Sequence, residues 1–181
     1  MQPHQTPDPE HLWRVREPIV LLPHDPQWLA EAAAEAERIV RACAPKVLRV
    51  EHIGSTSVPG LLTKPLLDVM PVLRSYEDGF ACVEPMRALG YWYAGDFGIP
   101  GRHFFPKGVP RTHHAHMLVE GSKEAVRHLA VRDVLRKDPA MAARYASLKQ
   151  RLASEFVDNR EAYSAAKGAF MQELFALAGV P

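Results

Sequence analysis

The chain has 181 residues, a formal net charge of +1 and two cysteines, Cys43 and Cys82. This length is enough for one domain with a sizeable core, and the interspersed charges argue against a basic stripe for bulk nucleic-acid binding. The cysteines lack metal-ligand spacing and are interpreted as reduced, mostly buried thiols. Because no apolar leader and no membrane-spanning run is seen, we expect a cytoplasmic protein with no membrane partner.

Residues 1–12 are polar and rich in Pro and His, and we expect them to form a flexible tail. Residues 13–181 show no repeat and no linker, so a single domain is predicted for them. Its elements follow from the period of the apolar residues. The predicted strands cover residues 19–22, 47–53, 66–73, 91–94, 103–106 and 113–119. The predicted helices cover residues 27–43, 76–89, 123–136, 139–156 and 160–178.

The order of these elements predicts an α/β (α+β) fold, with a mixed sheet, flanking helices and a C-terminal helical layer. The run at 66–73 is almost continuously apolar, as expected for a strand covered on both faces. Pro71 within it indicates a bulge or a position at the edge of the sheet.

A single carboxylate, Asp68, lies inside this apolar strand. An unpaired carboxylate there would cost several kcal/mol, so it needs a partner, a metal or a ligand. We interpret Asp68 as a metal ligand or a general base, and an ion pair with Lys64 or an arginine is the alternative.

The turn before that strand carries the residues expected of a phosphate site. Gly54 and Ser55 provide backbone N–H groups that a phosphate can approach closely, and Thr56 and Ser57 add hydroxyls. A solvated turn with a helix cap is the alternative. His52, at the end of the preceding strand, is predicted to point toward this turn and is a catalytic candidate.

His114 and His116 are two residues apart on a predicted strand, so their imidazoles face the same side. Such a pair is often half of a metal site, and Asp68 on a neighbouring strand would be a third ligand. The alternative is a pair of hydrogen-bonded histidines lining a polar cleft. The predicted cofactor is a divalent metal such as magnesium, manganese or zinc, and manganese, zinc or iron would suit these ligands better than magnesium.

Several cations could bind an anionic ligand beside this turn. Lys64 and Arg102 are predicted to contact phosphate, and Arg102 follows a Gly-rich loop at 95–101. A solvated loop lysine and an exposed hairpin cation are the alternatives. In the C-terminal helices two Tyr/Lys pairs lie four residues apart, each on one helix face. These pairs are Tyr145 with Lys149 and Tyr163 with Lys167. An amphipathic helix surface is the alternative for them.

The string EHIGSTSVPGLLTKPLLD, followed later by RTHHAHMLVEG, resembles the GrpB-like family of the nucleotidyltransferase superfamily. The resemblance covers most of the chain from about Val15. It implies a nucleotidyltransferase fold, with the β and γ phosphates of a nucleoside triphosphate at Gly54 and Ser55 and a metal at Asp68. Active members usually carry a second acid two residues later, where this chain has Met70. Restoring that acid, as Met70→Asp, is expected to strengthen magnesium-dependent nucleotide binding if the fold tolerates it.

Three functional hypotheses follow. The first is metal-dependent transfer of a nucleotidyl group from a nucleoside triphosphate to a small acceptor. The second is a degenerate, non-catalytic domain that binds a nucleotide or a phosphometabolite, and Met70 favours it. The third is a metal-dependent hydrolase that uses Asp68, His114 and His116. A further acid close to Asp68, such as Glu51, would favour the first hypothesis. Under all three hypotheses we expect a small-molecule or nucleotide ligand.

Overall fold

The computed structural model describes residues 18–181, apart from the side chain of Arg160. The predicted tail at residues 1–12 lies outside the described residues, as do residues 13–17 of the predicted domain. Within the described range, no helix combines the length and the apolar character needed to cross a bilayer.

Four strands of the described chain form one mixed sheet in the order β1-β2-β4-β3. The strands are β1 (Val47–Ile53), β2 (Leu67–Leu73), β3 (Arg102–Lys107) and β4 (His113–Val119). The helices are α1 (Gln27–Cys43), α2 (Asp78–Ala81), α3 (Val83–Ala88), α4 (Lys123–Lys137), α5 (Pro139–Glu155), α6 (Arg160–Ala166) and α7 (Gly168–Ala178). β2 is antiparallel to β1 and parallel to β4, and β3 is antiparallel to β4. This arrangement confirms the predicted α/β (α+β) class.

β2 is buried on both faces of the sheet. Val69 and Leu73 pack into a core with α1 and α3, whereas Met70 and Val72 pack on the opposite face against α4. Because both faces are covered, the strand has no polar alternation, as its sequence indicated. Burying each large aliphatic side chain contributes about 1.5–3 kcal/mol, so β2 is a main source of fold stability.

Pro71 lies in a central strand, so of the two expected positions, a bulge and a sheet edge, the edge is wrong. It pairs with Val50 of β1. On the β4 side the paired positions stop at Val69 and resume at Val72. Proline has no N–H to donate to a ladder, and the interrupted pairing with β4 is the structural consequence.

Four other predicted elements differ in extent. The predicted strands at 19–22 and 91–94 are reduced to single bridges, from Leu22 to Thr63 and from Tyr91 to Lys107. The predicted helix at 76–89 is divided into α2 and α3, because Pro85 cannot donate the hydrogen bond that would continue the first turn. The predicted helix at 160–178 is divided into α6 and α7 at Lys167, next to Gly168, a residue type that weakens a helix interior.

The C-terminal helices form a separate layer around a second core. α5 begins where the Asp138 side chain accepts the N–H of Met141 at 2.9 Å, with Pro139 in the first turn. Val58 and Leu61, just after the Gly-Ser turn, pack into this core with residues of α4, α5 and α7. The helical layer therefore packs against the segment that follows the turn and forms one wall of a cleft.

Candidate functional site: a cleft between the Gly-Ser turn and the C-terminal helices

A cleft of about 940 Å³ lies between the sheet and helices α5 and α6. Its lining includes Gly54 and Ser55 of the turn, Asp68 of β2, and His114 and His116 of β4. Ser55 and Asp68 therefore open into the same cleft. Its volume is in the range of cofactor and nucleotide sites.

The turn and the carboxylate are in direct contact. Gly54 has φ +68°, and a Cβ added there would lie 2.4 Å from Asp68 Oδ2. The Ser57 hydroxyl donates to the Gly54 carbonyl at 2.6 Å and holds the turn in this shape. Only glycine tolerates both the backbone angle and the close approach, so this glycine sets the distance between the turn and the acid.

Asp68 lies opposite His114 in the pairing of β2 with β4. Its Oδ1 is 3.4 Å from His114 Nδ1 and 3.3 Å from His116 Nε2. Burial would raise the pKa of Asp68, but the hydrogen bonds from the two histidines outweigh it and hold that pKa well below its usual range. Asp68 is therefore an ionised carboxylate whose partners in the described chain are histidines, not Lys64 or an arginine.

These three side chains converge in an arrangement compatible with a metal ion. One ligand atom of each lies within 4.8 Å of the others. Two ligands of a tetrahedral ion at 2.0–2.2 Å are roughly 3.3–3.6 Å apart, which matches the Asp68–histidine distances. One carboxylate and two imidazoles suit manganese or zinc better than magnesium.

Metal binding by His116 depends on which ring nitrogen carries the proton. Arg102 Nη1 donates to His116 Nδ1 at 3.1 Å. A guanidinium cannot accept, so the neutral His116 ring carries its proton on Nε2, the atom that faces Asp68. An ion at Nε2 would require that proton to move to Nδ1, and Arg102 would then have to withdraw its donor.

No second acid joins this group within the described residues. Met70 is fully buried in the core on the α4 side of the sheet. Glu51 faces Met70 across β1 and β2, but its carboxylate binds Arg132 at 2.9 Å and Arg49 at 3.0 Å. The groups next to Asp68 are instead the two histidines of β4, His114 and His116.

Three lysines converge on the wall of the cleft that faces the turn. Lys149 is almost completely buried, and its Nζ donates to Ser55 Oγ at 3.1 Å and to the Leu62 carbonyl. Lys64 and Lys167 lie over the ring of Tyr163, with Nζ 5.3 and 4.6 Å from its centroid. Burial, and then the charges of Lys167 and Lys64, lower the pKa of Lys149 to about 7. An anion would be stabilised at this wall.

Four of the sequence-predicted site residues do not line the cleft. His52 Nε2 is 3.0 Å from Thr56 Oγ1, and burial lowers its pKa to about 4. The hydroxyls of Thr56 and Ser57 are bonded to the Leu66 and Gly54 carbonyls. The buried Arg102 guanidinium donates to two loop carbonyls and to His116. These side chains lie outside the cleft lining, and their hydrogen bonds hold the turn, the loop and His116 in position.

Two residues near the site escaped sequence reasoning. The His128 ring of α4 lies 5.1 Å from that of His116, and burial lowers its pKa to about 3. Its Nε2 is buried and has no hydrogen-bond partner among residues 18–181. Its position three residues after the buried Ala125 would have placed it on the sheet-facing side of the helix. Phe97, at the mouth of the cleft, gave no sequence signal at all.

Comparison with known proteins gives the family. The model described as GrpB protein matches residues 18–176. The chain belongs to the GrpB family. It is 38% identical over 154 residues to the UPF0157 protein YqkA of Bacillus subtilis, an alignment that covers 84% of this chain and 45% of that relative. The chain thus spans less than half of the length of YqkA.

Solved structures agree with this assignment. The crystal structure of the conserved protein GrpB from Enterococcus faecalis superposes with a TM-score of 0.82 and 35% identity, over 88% of this chain and 96% of that one. The Cid1 poly(U) polymerase superposes with a TM-score of 0.50 and 11% identity, over 80% of this chain and 46% of that one. The second likeness shows a nucleotidyltransferase-like fold and nothing more.

Proposed function

We propose that this GrpB protein is a metal-dependent enzyme that transfers a nucleotidyl group from a nucleoside triphosphate to a small acceptor. The observation that carries the proposal is the contact of three elements in one cleft. Ser55 of the turn binds Lys149 of α5 on one side, and Gly54 touches Asp68 on the other. A polyphosphate and a metal-binding carboxylate would thus be adjacent.

The triphosphate would bind at the turn and the lysine wall. The N–H groups after Gly54 and the Ser55 hydroxyl would hold the β and γ phosphates. Lys149, Lys64 and Lys167 would neutralise their charge and that of the departing pyrophosphate. Since the pKa of Lys149 is about 7 in the free protein, a bound phosphate would restore its proton.

The transfer step would take place at Asp68. A divalent ion bound by Asp68, His114 and His116 would polarise the α-phosphate and neutralise developing charge. The lowered pKa of Asp68 suits a metal ligand and makes it a weak base, so the proton of the acceptor hydroxyl would pass to solvent water. The acceptor oxygen would form a bond to the α-phosphorus. The bond from that phosphorus to the bridging oxygen would break, and pyrophosphate would leave with its electron pair.

Non-catalytic binding of a nucleotide or a phosphometabolite is the second candidate. It is favoured by the buried Met70 and by Glu51, which is held by two arginines. The same cluster with water as the acceptor would give a hydrolase, the third candidate. All three candidate functions use the same ligand cleft. They differ in whether the nucleotide reacts and in whether a metabolite or water is the acceptor.

A single assay separates these candidates. The protein is incubated with α-labelled nucleoside triphosphates, manganese or zinc, and a panel of small hydroxyl and amino metabolites, while pyrophosphate and label transfer are measured. Transfer predicts acceptor-dependent pyrophosphate release, and Asp68→Asn should reduce it by roughly 100-fold or more. Asp133→Asn, at a half-exposed carboxylate outside the cleft, is the matched control and should keep full activity.

Two other results would reject transfer. Release of pyrophosphate without any acceptor would establish hydrolysis instead. Tight metal–nucleotide binding without turnover for any acceptor in the panel would support the non-catalytic domain.

A further inference from the structure

The amine of Lys149 has a reactivity that the proposed transfer does not use. The side chain lines the cleft, although only 3% of the residue is exposed. Its Nζ atom contacts Ser55, Leu62 and the ring of Tyr145, and no carboxylate pairs with it within residues 18–181. A buried ammonium without an acid partner is costly, so burial favours the neutral amine.

The charges around Lys149 favour the neutral amine as well. Burial, and then the positive charges of Lys167 and Lys64, lower the pKa of Lys149 to about 7. The ring of Tyr145, whose centroid is 4.7 Å from Nζ, acts in the opposite sense and favours the ammonium. With a pKa of about 7, roughly half of the Lys149 side chains are neutral at pH 7, compared with about 1 in 2,500 for a lysine of ordinary pKa.

The hydrogen bonds of the amine leave its electron pair available. Nζ donates to Ser55 Oγ at 3.1 Å and to the Leu62 carbonyl. A neutral amine has two N–H groups and one lone pair, so these two bonds use both of its protons and leave the lone pair for an electrophile. A desolvated lysine beside other cations, held in its neutral form, is typical of nucleophilic lysines.

We propose that Lys149 is a carboxylation site, at which carbon dioxide adds to Nζ and forms a carbamate. The Nζ lone pair forms a bond to the carbon of carbon dioxide, one C–O π electron pair moves onto oxygen, and one Nζ proton passes to water. No atom is oxidised or reduced. Carbon dioxide suits this site because it is small and uncharged, so it can reach an amine that is 3% exposed.

The surroundings of Lys149 stabilise the anion that forms. The charges of Lys64 and Lys167, which oppose an ammonium at Nζ, attract a carbamate there. The Ser55 hydroxyl, which accepts from the amine, can turn and donate to a carbamate oxygen. Carboxylation needs neither a nucleotide nor a metal, so it goes beyond the proposed transfer.

The first experiment traps the carbamate on the wild-type protein. The protein is equilibrated with carbon dioxide and bicarbonate near pH 7, triethyloxonium ion converts carbamates into stable ethyl carbamates, and peptide mass spectrometry locates them. The ethyl carbamate at Lys149 is expected to exceed that at Lys137, an exposed lysine of α4, by about 10-fold or more. No label at Lys149, or label at the level of Lys137, overturns the proposal.

The second experiment observes the carbamate without a trapping reagent. Carbon NMR with isotopically labelled bicarbonate is expected to show a protein-bound carbamate in the wild type and in Lys137→Met, and none in Lys149→Met. A signal of wild-type intensity in a folded Lys149→Met variant overturns the assignment.

The third experiment measures what the carbamate does to anion binding, and this consequence rests on the proposed function. Tripolyphosphate is titrated by calorimetry with and without bicarbonate, at constant pH and ionic strength. Because a carbamate replaces the cation that binds phosphate, bicarbonate is expected to weaken tripolyphosphate binding by about 3-fold or more. Weaker binding without a trapped carbamate assigns the effect to bicarbonate as a competing anion and overturns the proposal. If tripolyphosphate does not bind the wild type, the proposed function fails, whereas a carbamate trapped at Lys149 still supports carboxylation.

Discussion

At the scale of single residues, the chemistry of the cleft depends on groups whose protonation is set by their neighbours. Lys149 loses much of its positive charge near neutral pH because it is buried beside two other lysines. Asp68 stays ionised because two histidines bind it. His116 carries its proton on Nε2 because Arg102 donates to its other nitrogen.

The pKa of Lys149 gives a prediction for stability. The unfolded chain keeps this proton up to the usual lysine pKa, whereas the folded chain releases it near pH 7, so folding releases a proton between those values. The free energy of unfolding should rise with pH from about 7 to 10, by at most ~1.4 kcal/mol per pH unit from this group. Thermal melts of wild type and Lys149→Met should therefore differ in slope over that range.

Lys137→Met, at an exposed lysine of α4, is the control and should melt with the wild-type slope. Equal slopes for wild type and Lys149→Met would show that Lys149 keeps an ordinary pKa. Tripolyphosphate affinity should fall above pH 7 in the wild type, because the anion prefers the protonated lysine.

The contact between Arg102 and His116 gives a second prediction. Arg102→Gln replaces an obligate donor with a side chain whose oxygen can accept the Nδ1 proton of His116. The Nε2 atom is then free for a metal, and zinc affinity should rise by about 10-fold or more. Competition with a chromophoric chelator measures it. Arg102→Lys, which keeps a donor, should stay near wild type, and a folded Arg102→Gln without any gain would refute the tautomer argument.

At the scale of elements, the Gly-Ser turn and β2 are joined by one close contact. Gly54→Ala places a Cβ against Asp68 Oδ2 and adds the cost of a positive φ. We expect the free energy of unfolding to fall by about 2 kcal/mol or more, which lowers the melting temperature by roughly 4–8 °C in a domain of this size. Gly60→Ala has the same backbone cost with no atom within 4 Å, so its smaller loss isolates the contact. Equal losses in the two variants would mean that the turn moves away from Asp68.

The buried position of Met70 revises an expectation drawn from the sequence pattern. Its side chain packs with Ile53, Val72 and Leu118 rather than lining the cleft. Met70→Asp therefore buries a charge, and we expect it to lower the free energy of unfolding by several kcal/mol in chemical denaturation, whereas Met70→Leu should cost less than about 1.5 kcal/mol. A Met70→Asp variant as stable as wild type that binds magnesium nucleotide more tightly would restore the earlier expectation.

The sequence predicted those elements and residues that depend on local spacing. The alternation at His114 and His116, the Gly54–Ser55 turn and the apolar run around Asp68 each follow from a few neighbouring residues, and the structure brings them together. Pro85 is a sequence signal for a helix break, but the helical spacing of the residues around it predicted one continuous helix. The bonds from Arg102 and the stack of Phe97 on Phe104 depend on packing between distant segments, which no local pattern records.

At the scale of the whole molecule, the sheet supplies the acid and the histidines, and the C-terminal helices supply the lysines. In the proposed function, neither half would hold both a polyphosphate and a metal alone. Binding of the two ligands should therefore be coupled, because a nucleotide that bridges Lys149 and the Asp68 cluster contributes oxygen ligands to the ion. Similarity to nucleotidyltransferases fixes the fold, whereas this coupling tests the chemistry.

The most direct test is a manganese titration followed by electron paramagnetic resonance, with and without ATP, in wild type and Asp68→Asn. The account predicts that ATP tightens manganese binding by at least 5-fold in the wild type and that Asp68→Asn loses both the tight site and the coupling. Asp133→Asn should behave as wild type. Manganese binding that is indifferent to ATP, or equal in wild type and Asp68→Asn, would contradict a shared metal and nucleotide site in this cleft.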